Sequence, residues 1–325
     1  MKLCRFGQNR VGLVTGGEVC DVTAALAALP PVSYPFPPGD LLIANLEILK
    51  PALLQEARRG ERRSIEDVTL LSPVANPNKI IAAPINYQSH IDHDVKGKDI
   101  AYGHEVTSIT RAGLFLKANS SLVGPGQGVR IAFEGRRNDH ELELAVIIGR
   151  TGKDIGERQA LSYVAGYAIG LDMTVRGPED RSFRKSADSY SVLGPYLLTA
   201  DEIADPDALD MELSVNGETR QKTNTRELVL GVARLISWAS SVYTLYPGDV
   251  FYTGTPAGVG QVDPGDRIDA RIEQIGSIRR HLDHSMVAPE PGPLPAHEAP
   301  GRLGGLRDGI RHGGGAVQHG QELRV

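Results

Sequence analysis

From Lys79 onward the chain is written in short apolar runs, among them KIIAAP, GLFLKA, GVRIAF, ELELAVIIG, VAGYAIGLDM, PYLLTA, DMELSVNG, DVFYTGT and RIDARIEQIG, set apart by Gly, Pro and Asp. Runs this short between turn-forming residues read as strands. The expected fold class is therefore α+β and mostly β. One helix stands out against this background. After Asn224-Thr225, a good N-cap pair, Leu228, Val232, Leu235, Ile236, Ala239 and Val242 fall on one face until Pro247-Gly248 ends the pattern. An apolar stripe of that kind is expected to pack on the sheet.

The segment before Lys79 has a different texture. KLCRF, RVGLVT and EVCDVT, with Gly16-Gly17 as the turn between the last two, read as a small meander. DLLIANLEILKPALLQEARRG follows with helical spacing interrupted by Pro51, which predicts one kinked or two shorter helices. This gives a small N-terminal α+β domain over residues 1–72 and a larger domain over 73–286. Residues 287–325 are dense in Pro and Gly and too poor in apolar residues to offset their ordering entropy, so a disordered tail is expected. Its His297, His312 and His319 are too widely spaced to preform a metal site.

Charge and cysteine content remove several function classes. Forty acidic residues against 35 basic ones leave a formal charge of −5 with no basic stripe, which argues against nucleic acid as a partner. There is no apolar run of about 18 residues and no signal-peptide pattern at the start, so neither membrane insertion nor secretion is expected. Cys4 and Cys20 form no CxxC, and the expected compartment is the reducing cytoplasm.

Three stretches carry chemistry. In the strand-like Asp139-His140-Glu141-Leu142-Glu143-Leu144, residues two apart share a face, so Glu141 and Glu143 point together. Side-by-side carboxylates repel unless a positive charge lies between them. Asp172 sits in a run too apolar to hold a charge without a partner. Three carboxylates would make an all-oxygen site suited to Mg²⁺, with Mn²⁺ or Ca²⁺ as substitutes, and open to a chelating substrate. Thr253-Gly254-Thr255-Pro256 follows a strand and lacks both a P-loop and a dinucleotide fingerprint. It reads either as a hairpin turn or as a cradle whose amides and threonine hydroxyls hold a substrate oxygen. Asn86-Tyr87-Gln88-Ser89-His90 opens a polar segment with the character of a lid, with Gly97 and Gly103 as hinges. His90 is the candidate general base, and Asp94, four residues on, is placed to orient its imidazole if the segment is helical.

NYxxH, ExELAxxIG, GYxxxxDMTxR, VNGExRQ and PGDxxxTGTPAGVG occur in that order, and the succession resembles the fumarylacetoacetate hydrolase family, in particular its bacterial acylpyruvate hydrolase and 2-hydroxyhepta-2,4-diene-1,7-dioate isomerase members. The likeness covers roughly residues 73 to 286 and extends to the N-terminal appendage. It implies a mixed β-sheet roll, a homodimer, and a divalent cation held by Glu141, Glu143 and Asp172. By the same resemblance Lys185 in KSADSY is the active-site lysine, Lys117 and Gln221 line the site, and Thr255 binds substrate. Two positions depart from the family pattern. A His-Glu pair three residues apart is replaced by His90 and His93, with Asp92 and Asp94 flanking, and the usual Arg-Asp is Arg176-Gly177.

The implied reaction is hydrolysis of the C–C bond of a 2,4-dioxo, acylpyruvate-like acid through a metal-stabilised enolate, with His90 activating water and Lys185 steadying developing charge. The same enolate serves decarboxylation of a 2-oxo diacid or isomerisation of a 2-hydroxy dienoate, and the altered lid keeps both open. A reading of another class is a catalytically silent dimer that binds metal and ligand.

Overall fold

The computed structural model describes residues 1–90, 92, 108–133 and 135–283. His93, Asp94, Gly97, Gly103 and the 287–325 segment lie outside the described residues.

Side-chain alternation along the strands decides where the core lies. Leu142, Leu144, Val146 and Ile148 face one way and meet Tyr167, Ile169 and Leu171 of the neighbouring strand. Ala145 and Ile147 face the other way and pack with Ala168, Leu193, Leu197 and Val250. The sheet carrying both faces has twelve strands among the described residues. In spatial order it runs Arg62–Ser64, Glu18–Asp21, Arg10–Thr15, Lys2–Phe6, Ser191–Thr199, Val164–Asp172, Leu142–Ile148, Val250–Tyr252, Ile80–Ala82 and Phe115–Lys117. Leu70–Leu71 and Leu122–Val123 pair off this path. Most pairs are antiparallel, but Val250–Tyr252 runs parallel to Ile80–Ala82. A five-stranded sheet supplies Met211, Leu213, Ile268, Ala270 and Ile272 to the first core. The fold is α+β and mostly β.

The N-terminal meander is continuous with this sheet. Lys2 and Leu3 pair with Leu198 and Leu197, so residues 1–72 extend the strand array, and Met1–Ser285 forms one compact unit. The two helices that follow are Leu41–Ala44 and Leu46–Glu56. The break falls at Asn45, whereas Pro51 sits inside the second helix. Pro51 removes only the bond to the carbonyl of Glu47, an exposed residue that water can satisfy.

The long helix also starts later than its N-cap pair suggested. Asn224 caps the 3₁₀ turn Thr225–Glu227, while the α-helix is Val232–Val242. Leu228 is drawn off to bridge Tyr87 instead. Val232, Ile236 and Ala239 do pack on the sheet, but Val242 is 61% exposed. Among the described residues no helix is long and apolar enough to cross a membrane.

Candidate active site

Glu143 lies on the Leu142–Ile148 strand opposite Gly170, and Asp172 ends the adjacent strand, where its amide donates to the carbonyl of Glu141 at 2.9 Å. Glu141 itself falls between Asn138–His140 and Leu142–Ile148. All three carboxylates point to one place, and each offers a ligand atom within 4.8 Å of the others. All three residues are buried. A side chain on Gly170 would collide with the ring of Tyr252, whose hydroxyl donates to the carbonyl of Val192 at 2.8 Å.

Buried acids this close demand positive charge. Lys185 Nζ donates to Glu141 Oε2 at 2.6 Å, to Asp172 Oδ2 at 2.8 Å and to Thr174 Oγ1 at 2.6 Å. Lys117 Nζ donates to Asp172 Oδ1 and, at 2.8 Å, to the carbonyl of Tyr190. Burial draws the Lys117 ammonium below its ordinary pKa even with Asp172 beside it. Arg176 donates to Glu141 Oε1 at 2.9 Å and to Asp139 Oδ2 at 2.7 Å. Burial alone would raise Glu141, yet Lys185, Arg176 and His90 together hold its carboxyl well below the usual range.

Glu143 is the exception. Its Oε2 accepts from the Gly254 amide at 2.6 Å, and among the described residues no cation forms an ion pair with it. Burial, then repulsion from Asp172, pushes its carboxyl well above the ordinary value despite the pull of Lys185. A cluster of hard oxygen donors whose acids lack full compensation fits a divalent cation, and Glu141, Glu143 and Asp172 are the residues that would hold it.

The turn after Tyr252 is laid along the acid-bearing strand. Thr253 Oγ1 donates to the carbonyl of Leu144 at 3.0 Å and Thr255 Oγ1 to that of Leu142 at 2.9 Å, which sets the Gly254 amide on Glu143. Gln221 Oε1 accepts from the Leu142 amide at 2.9 Å, and its Nε2 donates to Thr255 Oγ1 at 2.8 Å. Gln221 and Thr255, expected at the substrate, are buried with these polar atoms committed to holding the strand start and the turn together.

Asn86 performs a similar task. Its side chain donates to the carbonyls of Leu230 and Thr253 at 2.9 and 2.8 Å and accepts from the Leu230 amide at 2.8 Å. The residue before it, Ile85, has φ 56°, a strained value for a β-branched side chain. His90, at the end of the turn Gln88–His90, is buried and close enough to Glu141 to act on its charge.

Asp139, Thr174 and Arg176 were not assigned roles from the sequence. The signal for Arg176 was a lone cation at the end of an apolar run, the mirror image of the argument that found Asp172. The space beside Gly177 is taken by the Arg136 guanidinium and Glu179, which form an ion pair at 2.8 Å.

The chain is similar to known proteins over most of its length. The family profile described as fumarylacetoacetate (FAA) hydrolase C-terminal matches residues 79–283. The maleylpyruvate hydrolase of Aquipseudomonas alcaligenes is 55% identical over 282 residues, covering 86% of this chain and 98% of that protein. A mitochondrial oxaloacetate tautomerase of Rattus norvegicus is 34% identical over 286 residues, covering 83% and 86% respectively. The crystal structure of maleylpyruvate hydrolase from Sphingobium sp. SYK-6, in complex with manganese(II) and pyruvate, has a TM-score of 0.74 and 41% identity, covering 88% of this chain and all of that one. The chain thus belongs to the fumarylacetoacetate hydrolase family.

Proposed function

We propose that this protein is a divalent-metal-dependent hydrolase that splits maleylpyruvate, or an acylpyruvate of the same shape, into maleate and pyruvate. The observation that carries the reading is the buried trio Glu141, Glu143 and Asp172, together with 55% identity to a maleylpyruvate hydrolase. Magnesium is the physiological cation of this reading, supported by the all-carboxylate donor set. The manganese held by the Sphingobium protein fits the same donors. When bound, the cation supplies Lewis acidity to the 2-oxo and carboxylate oxygens of the substrate.

The chain's own residues account for the rest. The buried Lys185 ammonium holds Glu141 and Asp172 in place and supplies positive charge beside the reacting carbonyls. His90 takes a proton from the attacking water. The hydroxyl adds to the acyl carbon, the bond to the pyruvyl methylene breaks, and the proton ends on that methylene, which becomes the pyruvate methyl. Burial of His90, Lys185 and all three acids excludes bulk water and strengthens each of these interactions. The two cysteines, both free, suit a cytoplasmic enzyme, and the family likeness supports a homodimer.

Pyruvate release from maleylpyruvate and from acetylpyruvate, with Mg²⁺ or Mn²⁺ and with EDTA as control, tests the proposal. Turnover that EDTA abolishes is expected. Turnover of oxaloacetate alone, run in parallel, would move the protein to the decarboxylase or tautomerase branch.

A further inference from the structure

The short helix Arg181–Arg184 stands immediately before Lys185 and carries two arginines that the reaction above does not use. Arg181 precedes Arg184 by three residues and Lys185 by four, so on this helical turn it lies on the side of each. The Arg181 guanidinium lies 5.8 Å from the centroid of the Phe115 ring, and Lys185 Nζ lies 5.9 Å from the same centroid. One aromatic ring is therefore flanked by the site lysine and by a second cation.

The two cations differ in what they have left to offer. Lys185 spends its three donors on Glu141, Asp172 and Thr174. Arg181 is partly buried, and among the described residues no acceptor takes a hydrogen bond from its guanidinium. Arg184 is 8% exposed; its Nε donates to the carbonyl of Glu179 at 2.9 Å, but its Nη1 is buried with no acceptor among the described residues. A buried guanidinium nitrogen without a protein acceptor is costly, and a ligand oxygen or an ordered water is what satisfies it.

Charge points the same way. Lys185, Lys117 and a divalent cation exceed the charge of Glu141, Glu143 and Asp172 by one, and the pyruvyl carboxylate takes up that one, so nothing in that set remains for a second carboxylate on the substrate. Maleylpyruvate has one: the maleyl arm ends in an acid that the bond-breaking step does not touch. We propose that Arg181, with Arg184 behind it, forms a carboxylate subsite that receives the distal acid of a diacid acylpyruvate and so selects diacid over neutral acyl arms. The assignment rests on the acylpyruvate reading above. It makes Arg181 a specificity-determining residue, with no part in breaking the bond.

The test is the ratio of kcat/KM for maleylpyruvate to kcat/KM for acetylpyruvate, measured with Mn²⁺ for the full-length protein and for Arg181→Gln and Arg181→Lys. A charge-assisted contact of this kind predicts that Arg181→Gln lowers the ratio on the order of 10- to 100-fold, mainly through KM for the diacid, and that Arg181→Lys recovers part of it. Maleate should also inhibit the Gln variant more weakly than the wild type. An unchanged ratio, or equal losses on both substrates, overturns the subsite while leaving the hydrolase reading intact. A wild type inert on both substrates overturns the hydrolase reading and the subsite with it.

Discussion

The amide of Asp172 donates to the carbonyl of Glu141 across 2.9 Å, so two of the three acids are neighbours in one hydrogen-bonded ladder before any cation is considered. Glu143 is two residues further along on the same face and accepts only from the Gly254 amide in the hydrogen bonds described above. Glu143→Gln keeps that acceptor and the side-chain volume while removing one of three mutually repelling charges. Metal-free Glu143→Gln is expected to melt no lower than the wild type, yet to bind Mn²⁺ at least about 100-fold more weakly. Calorimetric titration beside thermal melts checks both halves. Glu143→Ala should likewise abolish measurable binding, and unchanged affinity would remove Glu143 from the ligand set.

Lys185 works in the opposite direction. Lys185→Met leaves Glu141 and Asp172 without their shared buried cation, which should cost the metal-free protein about 3–5 kcal/mol. Since a divalent cation can supply the missing charge, Mn²⁺ should raise the melting temperature of the variant more than that of the wild type. Activity should remain at least about 100-fold down, because the cation replaces the charge and not the group that faces the substrate. Equal metal-induced shifts in both proteins would contradict the idea that lysine and metal compensate the same acids.

Asn86 tests the architecture behind the site. Its side chain joins the Leu230 backbone to Thr253, next to the glycine whose amide holds Glu143. Asn86→Leu strands buried backbone groups and should destabilise the fold by about 3 kcal/mol, with metal affinity falling as the turn loosens. Urea unfolding and a Mn²⁺ titration of the same preparation would separate the two effects.

The Cys4 thiol is pushed up to about 12 by burial from an ordinary 9.0. A raised folded-state value means the native thiol keeps its proton where the unfolded one loses it. The associated stability is therefore full below about pH 9 and is lost as the pH climbs towards 12. Neither cysteine should react with a disulfide reagent at pH 8 until the protein is unfolded, since both are buried. Melts from pH 7 to 11 should fall less steeply for Cys4→Ala than for the wild type.

Asp172 was legible in the sequence because burying a charge in an apolar run is expensive enough to need a reason. Glu141 and Glu143 were legible as two carboxylates on one face of a strand, alternating with Leu142 and Leu144, and the family resemblance joined them to Asp172. What escaped was set by contacts between distant parts of the chain. Nothing in VNGETRQ or TGTP announces that Gln221 and Thr255 bond each other and the Leu142 backbone. The helix start moved to Val232 because Leu228 found a partner in Tyr87, far away in sequence. The N-terminal strands looked separable because nothing in KLCRF announces that Lys2 and Leu3 will pair with Leu198 and Leu197. Pro51 marked a break that the chain made instead at Asn45.

Placing the acids on the ladder, and the arginines on a four-residue helix beside it, separates what must stay constant from what is free to drift. Substitutions along Arg181–Arg184 can change which acyl arm is accepted without moving a strand that carries Glu143 or Asp172. A lineage built this way can exchange one acid substrate for another in small steps, each leaving the cation where it was.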